Sequence, residues 1–359
     1  MTNYGLLVDK YRPRDIADLR YHKDLMKKLK NLVLAGDFPH LLIHGPSGSG
    51  KRTIINCLLH ELYGPGVERL RMEQSSYMTP SNKKIELMTL SSNYHIEVNP
   101  CDVGIYDRVV IQELIKGVAQ THQLDLQGLR DFKVIVVMDA DRLTKDAQHA
   151  LRRTMEKYIA TCRIILCASS MSRVIPAILS RCLAVRVPAP SKETIISVIK
   201  SVCEREKFEL PAELIDRIAE KSDRNMRRAL LMTQTFFIDR TNTPTADSPV
   251  QLPDWLVFLQ GVSDLMVAEQ TPRQIGIIRE KLYELIIHGI PTELIFKHLV
   301  DEVVEKCDMQ LKTQVVAAAA LYEHRLHHGN KAIMHLEAFV AKFMSIYKKF
   351  MEDMMHDMF

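Results

Sequence analysis

HLLIHGPSGSGKRT, residues 40–53, decides the fold. His40-Leu41-Leu42-Ile43-His44 is a short, mainly apolar run that stops at Gly45. A run of that kind, bounded by glycine, reads as a parallel strand buried on both faces. Beyond Lys51, the apolar residues Ile54, Ile55, Leu58, Leu59 and Leu62 recur at helical spacing. Between strand and helix lie Gly45, Pro46, Ser47, Gly48, Ser49, Gly50 and Lys51. This is the context in which G-x-x-x-x-G-K cradles phosphate. Backbone N–H groups and the helix N-terminus face the anion, and the lysine reaches the β- and γ-phosphates. The pattern then breaks. A hydrolysing loop next carries Ser or Thr, whose hydroxyl holds magnesium, and this chain carries Arg52. Arginine cannot coordinate a cation; it can replace part of the metal's charge or contact a group outside the site. Thr53, one position on, still offers a hydroxyl to a phosphate.

Three further buried strands are expected. Val134-Ile135-Val136-Val137-Met138 ends in Asp139-Ala140-Asp141, Arg163-Ile164-Ile165-Leu166-Cys167 follows, and residues 183–187 make the fourth. Helix-like stretches alternate with them, so residues 1–190 read as an α/β domain with a parallel sheet flanked by helices. Pro188-Ala189-Pro190 closes that pattern. Three helical segments are expected over 191–240, the second opened by Pro211 and the third capped by Asn225. TNTPTADSPVQLPD, residues 241–254, reads as a linker. From Trp255 to residue 359 everything reads as helix, with a start at Thr271-Pro272 and stops at Gly289-Ile290-Pro291 and Gly329-Asn330. In the last helix Ile333, Leu336, Val340, Phe343, Tyr347 and Phe350 form a stripe that fits either an internal core or an oligomer seam.

At 359 residues the chain is too long for one core, and two or three domains are expected. A hydrophobic share of 47% with 26% charged residues fits a soluble globular protein, and no apolar run is long enough to span a membrane. The N-terminal stretch lacks the layout of a secretory signal. Seven cysteines without C-x-x-C spacing point to reduced, mostly structural thiols and argue against a zinc site; no metal ligand set is expected. The net charge of +4 says nothing about nucleic acid unless basic residues share one face.

VDKYRP at 8–13, PHLLIHGPSGSGK at 39–51, KDAQHALRRTMEKY at 145–158, SRC at 180–182 and NMRRAL at 225–230 together resemble the small subunits of replication factor C, the eukaryotic AAA+ clamp loader. The resemblance covers essentially the whole chain. It implies an AAA+ phosphate-loop domain, a helical lid and an all-α collar domain. It also implies a nuclear assembly with four other replication factor C subunits. ATP binding would close that spiral on a ring-shaped sliding clamp and on primer–template DNA, and hydrolysis at sites between subunits would release the clamp onto DNA.

The resemblance further assigns roles. Val8, Tyr11, Arg12 and Pro13 would lie near the adenine. The family's D-E-A-D strand end, aligned without a gap on Ala140-Asp141, places Met138 on the metal-binding Asp and Asp139 on the water-activating Glu; a shift by one residue would rescue the metal ligand but spoil the Ala-Asp match. The family's sensor Asn appears as Ser169. Arg52, Met138, Asp139 and Ser169 all depart around one γ-phosphate, which implies a site that binds ATP or ADP, hydrolyses it poorly or not at all, and has no firm hold on magnesium. Arg181 of the SRC motif matches the arginine finger that reaches a neighbour's ATP. Arg227 matches a second sensor touching the γ-phosphate of its own site. Lys116 aligns with a residue by which the family tracks DNA backbone phosphates, and Gln112 with the family's arginine four residues earlier. Arg152, Arg153 and Lys157 give a further positive helix surface that fits DNA phosphates, solvent or a neighbouring subunit equally, and a phosphate contact reads no base sequence. A self-sufficient AAA+ ATPase, such as a helicase loader or remodeller, shares the fold but needs an intact metal site.

Overall fold

The computed structural model describes residues 5–34, 38–78, 84–120, 132–238, 244–245, 248–329 and 331–357. It divides into two compact units, Met1–Val250 and Gln251–Phe359.

In the first unit a short helix α1 (Leu7–Lys10) precedes α2 (Lys23–Leu34), β1 (Leu41–His44) and α3 (Lys51–Tyr63). Next come β2 (Arg71–Met78), β3 (Lys84–Ser91), β4 (His95–Val98) and α4 (Asp107–Gln120). Then follow β5 (Lys133–Val137), α5 (Lys145–Lys157), β6 (Cys162–Ala168), α6 (Pro176–Leu179) and β7 (Leu183–Arg186). The sheet order among the described residues is β2-β3-β4-β5-β6-β1-β7. The five strands from β4 to β7 in that order are parallel, and β2 and β3 add an antiparallel hairpin at the β4 edge. The four strands expected from sequence are β1, β5, β6 and β7, but β7 is not buried as expected: it closes the β1 edge of the sheet, and Leu183, Ala184 and Arg186 are exposed. The hairpin and β4 are additions.

Burial explains the layering. Leu41, Leu42 and Ile43 are fully buried because β1 is covered on both faces. Leu41 and Ile43 face α2 and α3, together with Val134, Val136, Ile165 and Cys167. Leu42 faces α4 and α5, together with Ile135, Val137, Ile164 and Leu166. Each such side chain stabilises the fold by about 1.5–3 kcal/mol relative to exposure.

Three helices follow in the same unit: α7 (Lys192–Glu206), α8 (Ala212–Lys221) and α9 (Met226–Ile238). Ser191 caps α7 by accepting from the Thr194 N–H at 3.2 Å. Pro211 stands at the cap of α8, and Asn225 Oδ1 accepts from the Arg228 N–H at 3.2 Å to cap α9. The N-terminal arm is tied here: the Leu7 N–H donates to Gln234 Oε1 at 3.0 Å in a buried bond. Of the expected linker, residues 241–243 and 246–247 lie outside the described residues.

The second unit is helical throughout its described residues: α10 (Asp254–Ala268), α11 (Pro272–Ile287), α12 (Thr292–Lys306), α13 (Met309–His328) and α14 (Ala332–Asp357). Thr271 caps α11 through Gln274 N–H, with Pro272 at the first helical position. Asn330, half of the expected stop, lies outside the described residues. In α14, Leu336, Val340 and Phe343 are buried against α10 to α13, and Ile333, Tyr347 and Phe350 pack on the same core. The stripe is therefore internal core.

Candidate nucleotide site and arginine finger

The loop between β1 and α3 is held by backbone geometry that glycine alone supplies cheaply. Gly48 and Gly50 have φ of +73° and +95°. A Cβ on Gly48 would lie 1.9 Å from Asn225 Oδ1, and one on Gly50 would lie 2.8 Å from the Tyr21 hydroxyl. The Met226 N–H donates to the Gly48 carbonyl at 3.3 Å. The start of α9 therefore rests directly on the loop, which brings Arg227 beside Lys51.

Lys51 Nζ donates to the carbonyls of Gly45 at 2.7 Å and Pro46 at 3.0 Å. Burial lowers the pKa of this ammonium; Cys167, Asp141 and Asp139 oppose that shift and Arg227 adds to it. The structure thus gathers Lys51, Asp139, Asp141 and Arg227 in one place. Two oxygens there are buried without a hydrogen-bond partner, Ser49 Oγ and Asp141 Oδ1. Asp141 Oδ2 accepts from the Ser170 N–H at 3.4 Å. An orphaned hydroxyl inside a glycine cradle fits a phosphate ligand, since leaving it bare costs about 1–3 kcal/mol. Gly45 to Gly50, Lys51 and Thr53 are the groups that would hold a nucleotide.

A divalent cation does not fit in the same way. Arg52 Nη2 lies 2.9 Å from Glu97 Oε2, and the Glu97 side chain is 12% exposed. Glu97 is thereby committed to a guanidinium. Met138 continues β5, its N–H donating to the Val98 carbonyl at 2.9 Å. It packs on the face of the sheet that α3 covers. A thioether is a poor ligand for a hard ion. Asp139 leaves the strand in a left-handed conformation, φ +48°. Ser169 follows β6 and is exposed.

The N-terminal arm meets the helices after β7 through Leu7, Lys10 and Tyr11, and meets α3 through Pro13. The Tyr11 hydroxyl donates to Glu206 at 2.8 Å, Lys10 pairs with the same carboxylate at 2.5 Å, and the Arg205 guanidinium lies over the Tyr11 ring. Arg12 pairs with Asp9 at 2.7 Å. Val8 and Pro13 are half-buried, and Pro13 offers its carbonyl to Cys57 Sγ at 3.6 Å.

Two neighbours of the loop were missed from sequence, Tyr21 and His22. Tyr21 reaches Gly50 and is packed edge-on against His22, with ring centroids 4.7 Å apart. His22 has φ +61°. Burial lowers its pKa, opposed by the backbone of Ser49 and Pro188. Before α2 this pair carries no periodic or spacing signal that would mark it.

Arg181 sits just beyond α6. Its Nε donates to Glu156 Oε1 at 2.7 Å, and its Nη1 donates to the Ala177 carbonyl at 2.7 Å and to Ser180 Oγ at 3.0 Å. None of these partners belongs to the phosphate loop. Gln112 and Lys116 on α4 lie in the same helical layer as Arg152 and Arg153 on α5. Lys116 and Arg153 are exposed, Gln112 and Arg152 half-buried.

Comparisons with known proteins fit this architecture. The family described as "Replication factor C subunit 3, C-terminal domain" matches residues 255–351, and "RCF1/5-like, AAA+ ATPase lid domain" matches residues 197–238. "DNA polymerase III, delta subunit" matches residues 21–191. Replication factor C subunit 3 of Homo sapiens is 57% identical over 349 residues, 97% of this chain and 98% of that protein. Replication factor C subunit 5 of Schizosaccharomyces pombe is 48% identical over 95% of this chain and 96% of its own length. Among solved structures, the Thermotoga maritima RuvB Holliday junction branch migration motor aligns over 76% of this chain and 85% of its own, with TM-score 0.50 and 14% identity. A second RuvB structure covers 82% of this chain and 91% of its own, with TM-score 0.52 and 13% identity. Those two show a shared fold alone. With an AAA+ lid, a subunit-specific C-terminal domain and close relatives along its whole length, the chain belongs to the family of replication factor C subunits that carry the numbers 3 and 5.

Proposed function

We propose that this chain is one of five subunits of a nuclear DNA clamp loader, acting with four other replication factor C subunits on a sliding clamp and primer–template DNA. In this reading residues 1–190 bind nucleotide, 191–240 close over it, 241–254 connect, and 255–359 form the collar that joins neighbours. The chain's own site holds ATP or ADP without turning it over, and Arg181 serves the site of the adjacent subunit. An arginine finger stabilises the charge that spreads over the transferred phosphoryl group, and supplying it in trans makes hydrolysis depend on assembly. Lys116, Arg152 and Arg153, with Gln112, face the DNA backbone.

The observation that carries the reading is the Arg52–Glu97 pair beside an otherwise complete phosphate cradle. The cradle supports binding. A guanidinium in the metal-binding position, with Met138 on the same face, supports the loss of hydrolysis. The test is a pair of variants in the reconstituted assembly. Arg181→Ala should lower clamp- and DNA-stimulated ATP turnover while the five subunits still assemble. Lys51→Ala should leave turnover nearly unchanged. The reverse pattern would show that this chain hydrolyses its own nucleotide.

A further inference from the structure

We propose that Glu156 is the positioning residue of the finger. The inference rests on reading Arg181 as that finger. A guanidinium carries five N–H donors on three nitrogens in a fixed fork. Nε is spent on Glu156 Oε1, and Nη1 is spent on the Ala177 carbonyl and Ser180 Oγ. Nη2 lies 2.5 Å from the same Glu156 oxygen, an ion-pair contact that takes up one side of that nitrogen. The Glu156 and α6 contacts therefore fix the group, and none of them takes up the second N–H of Nη2, which leaves it for a phosphate oxygen.

The braces come from two separate elements. Glu156 sits in the last turn of α5, while Ala177 lies in α6 and Ser180 caps it. Without the carboxylate, only contacts within α6 and its own cap would orient a long, flexible side chain. The Glu156 side chain is 53% exposed and that of Arg181 is 34% exposed, so the pair adds little to folding stability. Its physical effect is to narrow the conformations of a group that must meet a developing charge within a fraction of an ångström. The carboxylate also keeps the cation balanced while no phosphate is near.

The experiment uses the reconstituted five-subunit assembly with clamp and primer–template DNA, measuring kcat and KM for ATP. Glu156→Ala should lower the Arg181-dependent part of kcat by about tenfold, less than the roughly hundredfold that a full 1 Å misplacement can cost, because the α6 contacts remain. KM should stay within about twofold, because the finger acts on the transition state more than on substrate binding. Glu156→Gln keeps an acceptor oxygen in place and should recover most of the loss. In an Arg181→Ala background, Glu156→Ala should have no further effect, which a merely structural role would not produce. If Arg181→Ala lowers turnover but Glu156→Ala does not, the positioning role is wrong and the finger stands. If the double variant is weaker than Arg181→Ala alone, Glu156 acts elsewhere and the inference falls. If Arg181→Ala itself keeps full turnover, the finger reading fails and this inference fails with it.

Discussion

Glu97 and Arg52 lie 45 residues apart in sequence, and their side chains meet at 2.9 Å on the face of the sheet that α3 covers. A carboxylate and a guanidinium thus neutralise each other where a hydrolysing site would gather charge around a cation. Nucleotide binding by this chain should therefore be indifferent to divalent metal. Titration of fluorescent ADP in magnesium and in excess chelator should give dissociation constants within about threefold, under 1 kcal/mol. A loss of a hundredfold in chelator would mean that a metal ligand has been overlooked.

Gly48 joins two constraints, a left-handed φ of +73° and the close approach of Asn225 Oδ1. Gly48→Ala should destabilise the first unit by about 2 kcal/mol, combining backbone strain with displacement of the α9 cap. Asn225→Ala alone should cost about 1 kcal/mol. The double variant should cost less than the two together, because removing Asn225 relieves the clash. Urea unfolding of the three variants measures this directly, and strict additivity would contradict it.

Lys116 and Arg153 are exposed on neighbouring helices, and their proposed partner is the phosphate backbone. Each change to alanine should reduce the slope of log K against log salt by about one and weaken binding equally on unrelated primer–template sequences. Gln112→Ala, which removes no charge, should leave the slope unchanged. Binding isotherms of the assembly at several salt concentrations are the measurement. A slope that does not move with Lys116→Ala or Arg153→Ala takes these residues off the DNA path.

Burial lowers the pKa of His95 to about 4, and its Nδ1 meets Ser92 Oγ at 2.8 Å. The unfolded chain, with an ordinary histidine, binds a proton near pH 6.5 that the folded chain refuses until about pH 4. Stability from this residue is therefore complete above pH 6.5 and is lost as pH falls towards 4, by about 2 kcal/mol at pH 5. In His95→Gln the decline of stability between pH 7 and pH 5 should be shallower by that amount. Equal slopes for both proteins would show that His95 is not the titrating group.

Sequence reading found what is determined locally. β1, β5 and β6 are buried on both faces, so their apolar runs are unbroken and legible. β2 is an edge strand whose residues Arg71 to Gln74 are all exposed, and it carries no apolar pattern to find. In β3 the buried Ile85, Leu87 and Thr89 alternate with the exposed Lys84, Glu86 and Met88, a strand signal that is legible in the sequence. The glycine cradle announces itself by spacing. Glu97, Tyr21 and Glu156 do not, because each matters through one partner distant in sequence. The stripe on α14 shows the same limit from the other side. Its period fixes an apolar face but not what covers that face, and only the packing of α10 to α13 shows that the cover is internal.

β1 pairs with β6 on one side and β7 on the other, Leu41 standing opposite both Ile165 and Leu183. Both partners lie more than a hundred residues downstream, so a ribosome emits the phosphate loop many seconds before the strands that hold it. Until residues 183–186 emerge, one edge of β1 is bare; until Asn225 and Met226 emerge, Gly48 lacks its clamp. The motif written first is finished last. A loop closed in the geometry described here therefore requires a chain that has folded through α9, since Asn225 and Met226 supply its last contacts.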